Sequence, residues 1–88
     1  MIERTATIVN PLGLHARPAA QFVKLASSFQ AHIEVEKDGM PVNGKSIMGV
    51  MMLAAECGAT LRIRADGADA EAAVEALAQL VGEGFGEG

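Results

Sequence analysis

The stretch Asn10-Pro11-Leu12-Gly13-Leu14-His15-Ala16-Arg17-Pro18-Ala19-Ala20 decides how the chain is read. Pro11 and Gly13 bend a loop, and Pro18 opens an apolar helical pattern. Proline suits a first helical turn because the N–H it lacks has no helical partner there. His15, one of two histidines in the chain, therefore stands just before a helix. The free N–H groups of a helix start bind anions, and the helix dipole favours negative charge there. An imidazole, the Arg17 guanidinium and the backbone amides of Ala16 and Arg17 converge on one point. That is a phosphate site in which the histidine can itself be the nucleophile. Neutral imidazole offers a lone pair to phosphorus, and a guanidinium clamps phosphoryl oxygens in a bidentate way. The same residues also fit a plainer arrangement, a loop histidine beside a helix cap with Arg17 in water.

Outward from this stretch the periodicities alternate between strand and helix. Residues 2–9 alternate with β-branched content and predict a strand. Residues 16–29 predict a helix, with Ala19, Phe22, Val23, Ala26 and Phe29 on one buried stripe. Residues 31–37 predict a second strand, with Ile33 and Val35 inward and His32, Glu34 and Glu36 outward. Asp38-Gly39 is a hairpin turn into a short strand over 40–43, where Pro41 indicates an edge. Ser46 caps a helix from Ile47 to about Ala55, ended by Gly58. Residues 59–65 form a fourth strand, whose Arg62 and Arg64 can face Glu34 and Glu36. Asp69 caps a last helix with Ala70, Ala73, Val74, Leu77, Leu80 and Val81 inward, and residues 82–88 form a mobile tail. The order is β-α-β-β-α-β-α. The simplest packing is α+β, a four-stranded antiparallel sheet with three helices on one face. Pattern alone leaves open whether the strand order is ferredoxin-like or another split β-α-β arrangement.

The 88 residues form a single domain over 1–88 with one modest core. The net charge of −4 excludes a broad basic nucleic-acid face, although Arg17, Lys24 and Lys45 can form a local basic patch. The single cysteine, Cys57, permits no internal disulfide and reads as a half-buried filler in a reducing compartment. The N-terminus has no signal-peptide core, and the longest apolar run, residues 47–55, is too short to insert in a membrane.

Two separate motifs carry a family resemblance. Gly13-Leu14-His15-Ala16-Arg17-Pro18-Ala19 resembles the active-site signature of HPr, the histidine-containing phosphocarrier family of the bacterial phosphotransferase system. Lys45-Ser46-Ile47-Met48-Gly49-Val50-Met51 resembles the regulatory serine segment of HPr proteins from Gram-positive-type bacteria. The resemblance spans nearly the whole chain in length and order. It implies an open-faced β-sandwich with strand order 1-4-2-3, and a cytoplasmic carrier, not an enzyme, with no metal or cofactor of its own. It further implies that enzyme I phosphorylates His15 at Nδ1, that Arg17 and the amides of Ala16 and Arg17 hold the phosphoryl group, and that enzyme IIA domains of sugar transporters receive it. Ser46 would be the target of a regulatory HPr kinase/phosphorylase.

The second motif has a physical reading of its own. Ser46 is a good helix cap by residue type, and a phosphate on its hydroxyl would also sit at a helix start. Ile47, Met48 and Met51 cannot all face inward if Val50 and Leu53 do, so a Met-rich patch is expected to serve docking. Lys45 stands beside Ser46, either assisting phosphate or solvated. Gly44 departs from the family pattern, where a bulkier residue is common, and makes Gly39–Ser46 fit the P-loop pattern literally. That reading fails because its first glycine belongs to a hairpin and the chain is too short for the α/β domain a P-loop needs. His15, His32 and Cys57 are too widely spaced for a metal site. Glu34 and Glu36 share a solvated strand face with no apolar pocket to make an acid–base pair.

Two rivals to a monomeric carrier remain. One is a regulatory module acting through phosphorylated Ser46 on a catabolite-control transcription factor or a metabolic kinase. The other is a small-molecule-binding sandwich without phosphotransfer.

Overall fold

The computed structural model describes residues 1–87. Strand β1 (Ile2–Thr7) leads through the His15 loop to helix α1 (Ala16–Ser27). Strands β2 (His32–Lys37) and β3 (Met40–Asn43) form a hairpin, followed by the short helix α2 (Ile47–Met52). Strand β4 (Thr60–Asp66) and helix α3 (Ala70–Gly82) complete the regular elements. The sheet runs β1-β4-β2-β3, every neighbouring pair antiparallel. This settles the order that alternation alone left open. The chain is an open-faced sandwich of the β-α-β-β-α-β-α type.

Strand side chains alternate between two unlike environments because successive Cβ atoms point to opposite sheet faces. Ile33, Val35, Leu61, Ile63 and Ala65 are buried under the helices. The opposite face is open and carries charge. Arg64, at its centre, meets Glu3 and Glu34 at 2.8 Å and Glu36 at 2.6 Å. Its guanidinium is held further toward the charged form by Glu36 first, then Glu3 and Glu34. The expected pairing between β2 acids and β4 bases thus resolves onto Arg64, while Arg62 forms no ion pair among the described residues.

Helix α1 buries Ala19, Phe22, Val23 and Ala26 of the expected stripe, and Pro18 with them. Phe22 is fully buried; such a side chain contributes about 1.5–3 kcal/mol of transfer free energy. The helix stops at Ser27, short of Phe29, where the Ser28 hydroxyl donates to the Leu25 carbonyl at 2.6 Å. Asp38 and Gly39 both have positive φ, +52° and +82°, as a two-residue primed hairpin turn requires.

Three other expectations change. Helix α2 ends at Met52 rather than near Ala55, because Ala54 turns into the left-handed region at φ +49°. Asp69 precedes α3 but does not cap it with its side chain. Its carboxylate instead accepts from the Gln30 and Ala31 amides at 2.9 and 2.8 Å, tying the α1–β2 turn to the start of α3. Finally, residues 82–87 are not a detached tail. They fold back through a 3-10 turn at Gly84–Gly86, and Phe85 is buried in the core. An aromatic side chain at that position gains more from burial than the turn costs in order.

The amide of Gln30, first, and then that of Ala31 hold the Asp69 carboxyl below the usual carboxylate range. A carboxyl lowered on folding stabilises the fold above its unfolded value of about 4 and loses that effect as pH falls through its lowered folded value. Asp69→Asn is therefore expected to be less stable than the parent at pH 7, with the difference vanishing in strong acid. Denaturant unfolding of both proteins from pH 7 to pH 2 checks this, and a pH-independent difference would count against it.

Candidate functional site

The loop before α1 is shaped by a close backbone approach. Gly13 has φ +69°, and a Cβ there would lie 2.5 Å from the Ala55 carbonyl oxygen. The same carbonyl accepts from the Leu14 amide at 2.8 Å. Leu14 is buried, so the chain leaves the contact with His15 directed outward. Asn10, fully buried, donates from Nδ2 to the Gly13 carbonyl at 2.7 Å, and its Oδ1 has no hydrogen-bond partner among the described residues.

His15 is the N-cap residue of α1, extended at φ −78° and ψ −171°, and its side chain caps nothing. Its carbonyl accepts from the Ala19 amide at 2.9 Å, which starts the helix. The amides of Ala16 and Arg17 lie in the first turn, where no helical acceptor exists, and Pro18 has no N–H at all. The imidazole is 37% exposed. Its Nε2 lies 3.1 and 3.3 Å from the two carboxylate oxygens of Glu87, while Nδ1 has no hydrogen-bond partner among the described residues. Glu87 Oε1 also accepts from Asn10 Nδ2 at 3.0 Å. Arg17 is exposed and forms no ion pair among the described residues. With Pro11, Leu12, Gln21, Phe85 and Glu87 it lines a cleft of about 520 Å³.

His15 and Arg17 stand two residues apart at the start of α1, and Glu87 links them, touching the His15 ring and lining the cleft with Arg17. Asn10, Phe85 and Glu87 join them without having been foreseen. The sequence signal for Phe85 was present: it is a large apolar residue between two glycines in an otherwise polar segment.

Ser46 occupies the N-cap of α2, and its hydroxyl accepts from the Gly49 amide at 3.1 Å. Met48 is 77% exposed, and Ile47 and Met51 are also exposed, while Val50 and Leu53 are buried. Lys45 is half-buried rather than freely solvated. Its ammonium donates to the Phe29 carbonyl at 2.8 Å, just past the end of α1. Arg17 and Lys45 therefore stand at opposite ends of a helix about 18 Å long, and the local patch with Lys24 does not form around one point. Residues 39–46 are a hairpin turn, β3 and the α2 cap, with no phosphate-cradling loop. His32 is an exposed strand residue. Cys57 is exposed rather than half-buried, its thiol 3.7 Å from the Val9 carbonyl. Among the described residues no cluster of His, Cys, Asp and Glu is arranged to hold a metal ion, and no helix is long and apolar enough to cross a membrane.

An open-faced sandwich that presents a partly exposed histidine at a helix N-terminus has its candidate site in an open cleft rather than in a closed pocket. The family model for the PTS HPr component phosphorylation site matches residues 2–83. The phosphocarrier protein HPr of Cupriavidus necator is 47% identical over 88 residues, covering 100% of this chain and 99% of its own. The crystal structure of HPr-C-His from Thermoanaerobacter tengcongensis has a TM-score of 0.95 at 50% identity, covering 100% of this chain and 99% of that one. An HPr dimer from the same organism has a TM-score of 0.78 at 50% identity, covering 99% and 100% of the two chains. Crh, the catabolite repression HPr of Bacillus subtilis, has a TM-score of 0.65 at 40% identity, covering 93% and 98%. The chain belongs to the HPr family, the phosphocarriers of the phosphotransferase system.

Gly13 carries the loop. Gly13→Ala is expected to cost at least the 1–2 kcal/mol of roughly one left-handed residue, and more because its Cβ would meet the Ala55 carbonyl. Equilibrium unfolding measures the loss; an unchanged midpoint would contradict the close approach.

Proposed function

We propose that this chain carries a phosphoryl group on Nδ1 of His15, received from enzyme I and passed to enzyme IIA domains of sugar transporters. The observation that carries the reading is the partly exposed imidazole at the start of α1, with Nε2 engaged by Glu87 and no partner on Nδ1 among the described residues. Attack by Nδ1 forms the N–P bond as the donor's bond to phosphorus breaks. The amides of Ala16 and Arg17 and the Arg17 guanidinium stabilise the phosphoryl oxygens. Because the site is shallow, the phosphoryl group is held without being buried and stays accessible to the next acceptor. Phosphoryl transfer asks mainly for positioning and charge stabilisation, and this arrangement provides both. Docking to successive partners in the cytoplasm favours a monomer during the cycle, since each partner must reach His15. Loading from phosphoenolpyruvate through enzyme I is expected to add one acid-labile phosphoryl group by intact mass, absent in His15→Ala. No gain beside an active control carrier would refute the carrier role.

A second, regulatory reading is supported by Ser46. Its hydroxyl caps α2 beside exposed Ile47, Met48 and Met51, and a structural relative is a catabolite repression HPr. In this reading an HPr kinase/phosphorylase modifies Ser46. Phosphorylation adds about two negative charges next to an apolar docking patch, weakening the approach of an acidic phosphodonor. It creates at the same time a surface for a catabolite-control transcription factor. Ser46→Asp is expected to slow phosphorylation of His15 by enzyme I several-fold, roughly as charge repulsion at a docking surface does. Equal rates for parent and variant would count against it.

A further inference from the structure

Glu87 is the one carboxylate among the described residues that touches the His15 ring, and the fold is built to put it there. It follows α3 by only a few residues, in a segment that has no strand or long helix to hold it. The segment is held instead by Phe85, which is buried despite a left-handed backbone at φ +57°. The Glu87 amide donates to the Gly84 carbonyl at 3.0 Å, closing the turn. Gly84 itself has φ +68°, and a Cβ there would come within 3.4 Å of Val9 and 3.7 Å of Asn10. The turn is therefore fitted against the loop that precedes His15. From the other side, fully buried Asn10 uses one amide group to bind both the Gly13 carbonyl and Glu87. The loop, the carboxylate and the ring form one chain of hydrogen bonds.

We propose that Glu87, fixed by Asn10 and by the Phe85 anchor, is a positioning residue for His15 and the counter-ion of its phosphorylated ring. The proposal rests on the carrier reading above and assigns a role that reading does not contain. An ionised carboxylate can only accept hydrogen bonds, so Nε2 carries the proton and Nδ1 of the neutral ring carries the lone pair. The contact also fixes which edge of the ring faces outward, because a half-turn about the Cβ–Cγ bond would break it. When Nδ1 attacks, the N–P bond forms and the donor's bond to phosphorus breaks. The proton stays on Nε2, and the ring gains a positive charge spread over both nitrogens. The Glu87 carboxylate, 3.1 Å away, compensates that charge without any proton transfer. On onward transfer the N–P bond breaks, its electron pair returns to Nδ1, and the ring is neutral again with Nε2 still protonated. The ring thus leaves as a neutral base, which keeps the phosphoryl group transferable.

The test uses the full chain with two substitutions at one position. Glu87→Ala removes both the acceptor and the charge; Glu87→Gln keeps an acceptor oxygen for Nε2–H and removes the charge. In the unphosphorylated proteins, nitrogen-edited NMR reads the Nε2 proton and its exchange with water. Slow exchange is expected in the parent and in Glu87→Gln, and fast exchange in Glu87→Ala. Single-turnover phosphorylation by enzyme I is then expected to fall about tenfold in Glu87→Ala, the effect of losing one hydrogen bond to a charged group. Glu87→Gln stays slow although its ring is held, which a merely structural role would not produce. Parent-like rates in both variants, or an Nε2 proton that exchanges equally fast in all three proteins, would overturn the proposal. A parent protein that accepts no phosphoryl group overturns the carrier reading instead, and the ring-proton measurement still decides whether Glu87 holds His15.

Discussion

The contact between Gly13 and the segment after α2 is the constraint on which the site depends. The Leu14 amide reaches the Ala55 carbonyl at 2.8 Å only because Gly13 presents no Cβ to that oxygen. Ala54, left-handed at φ +49°, ends α2 and precedes that carbonyl. With the loop held there, Leu14 enters the core and His15 is set outward as the first residue before α1. The chemistry of the site is then a property of the helix start. The first-turn amides and the His15 imidazole stand at the open end of α1, beside the shallow cleft that Arg17 and Glu87 line.

The rest of the molecule serves this placement. The sheet gives α1 and α3 a common apolar floor of Ile33, Val35, Leu61 and Ile63, all fully buried. Asp69 ties the α1–β2 turn to the start of α3 through the Gln30 and Ala31 amides. The chain after α3 returns to the loop and delivers Phe85 to the core and Glu87 to the His15 ring. Because the site is open, its partners must provide what a closed active site would provide for itself, including exclusion of water. A carrier gains from this division, since a deep site would have to be reopened at each transfer.

Much of this was legible in the sequence. Element types and order follow from period-two and period-3.6 apolar patterns, and the Asp38-Gly39 turn and Ser46 cap follow from residue chemistry. His15 and Arg17 stood out because a proline placed the helix start beside them. The strand order did not follow from pattern, since alternation says which face is buried and not which strand is next; it came only from resemblance. The side chain of Asp69 was misread because capping preference is local, whereas its real partners are 38 and 39 residues away. Asn10 and Glu87 were invisible for the same reason, being joined across 77 residues. The closing segment was taken as loose because glycine and glutamate dominate it, and one buried phenylalanine outweighs them.

The central claim is that the phosphoryl group resides on Nδ1 while Nε2 keeps its proton. The most direct test is phosphorus–nitrogen NMR of the chain labelled with nitrogen-15 in histidine and loaded through enzyme I. The account predicts coupling of phosphorus to Nδ1 of His15 alone, with a bonded proton on Nε2. Coupling to Nε2, or to either nitrogen of His32, would contradict it.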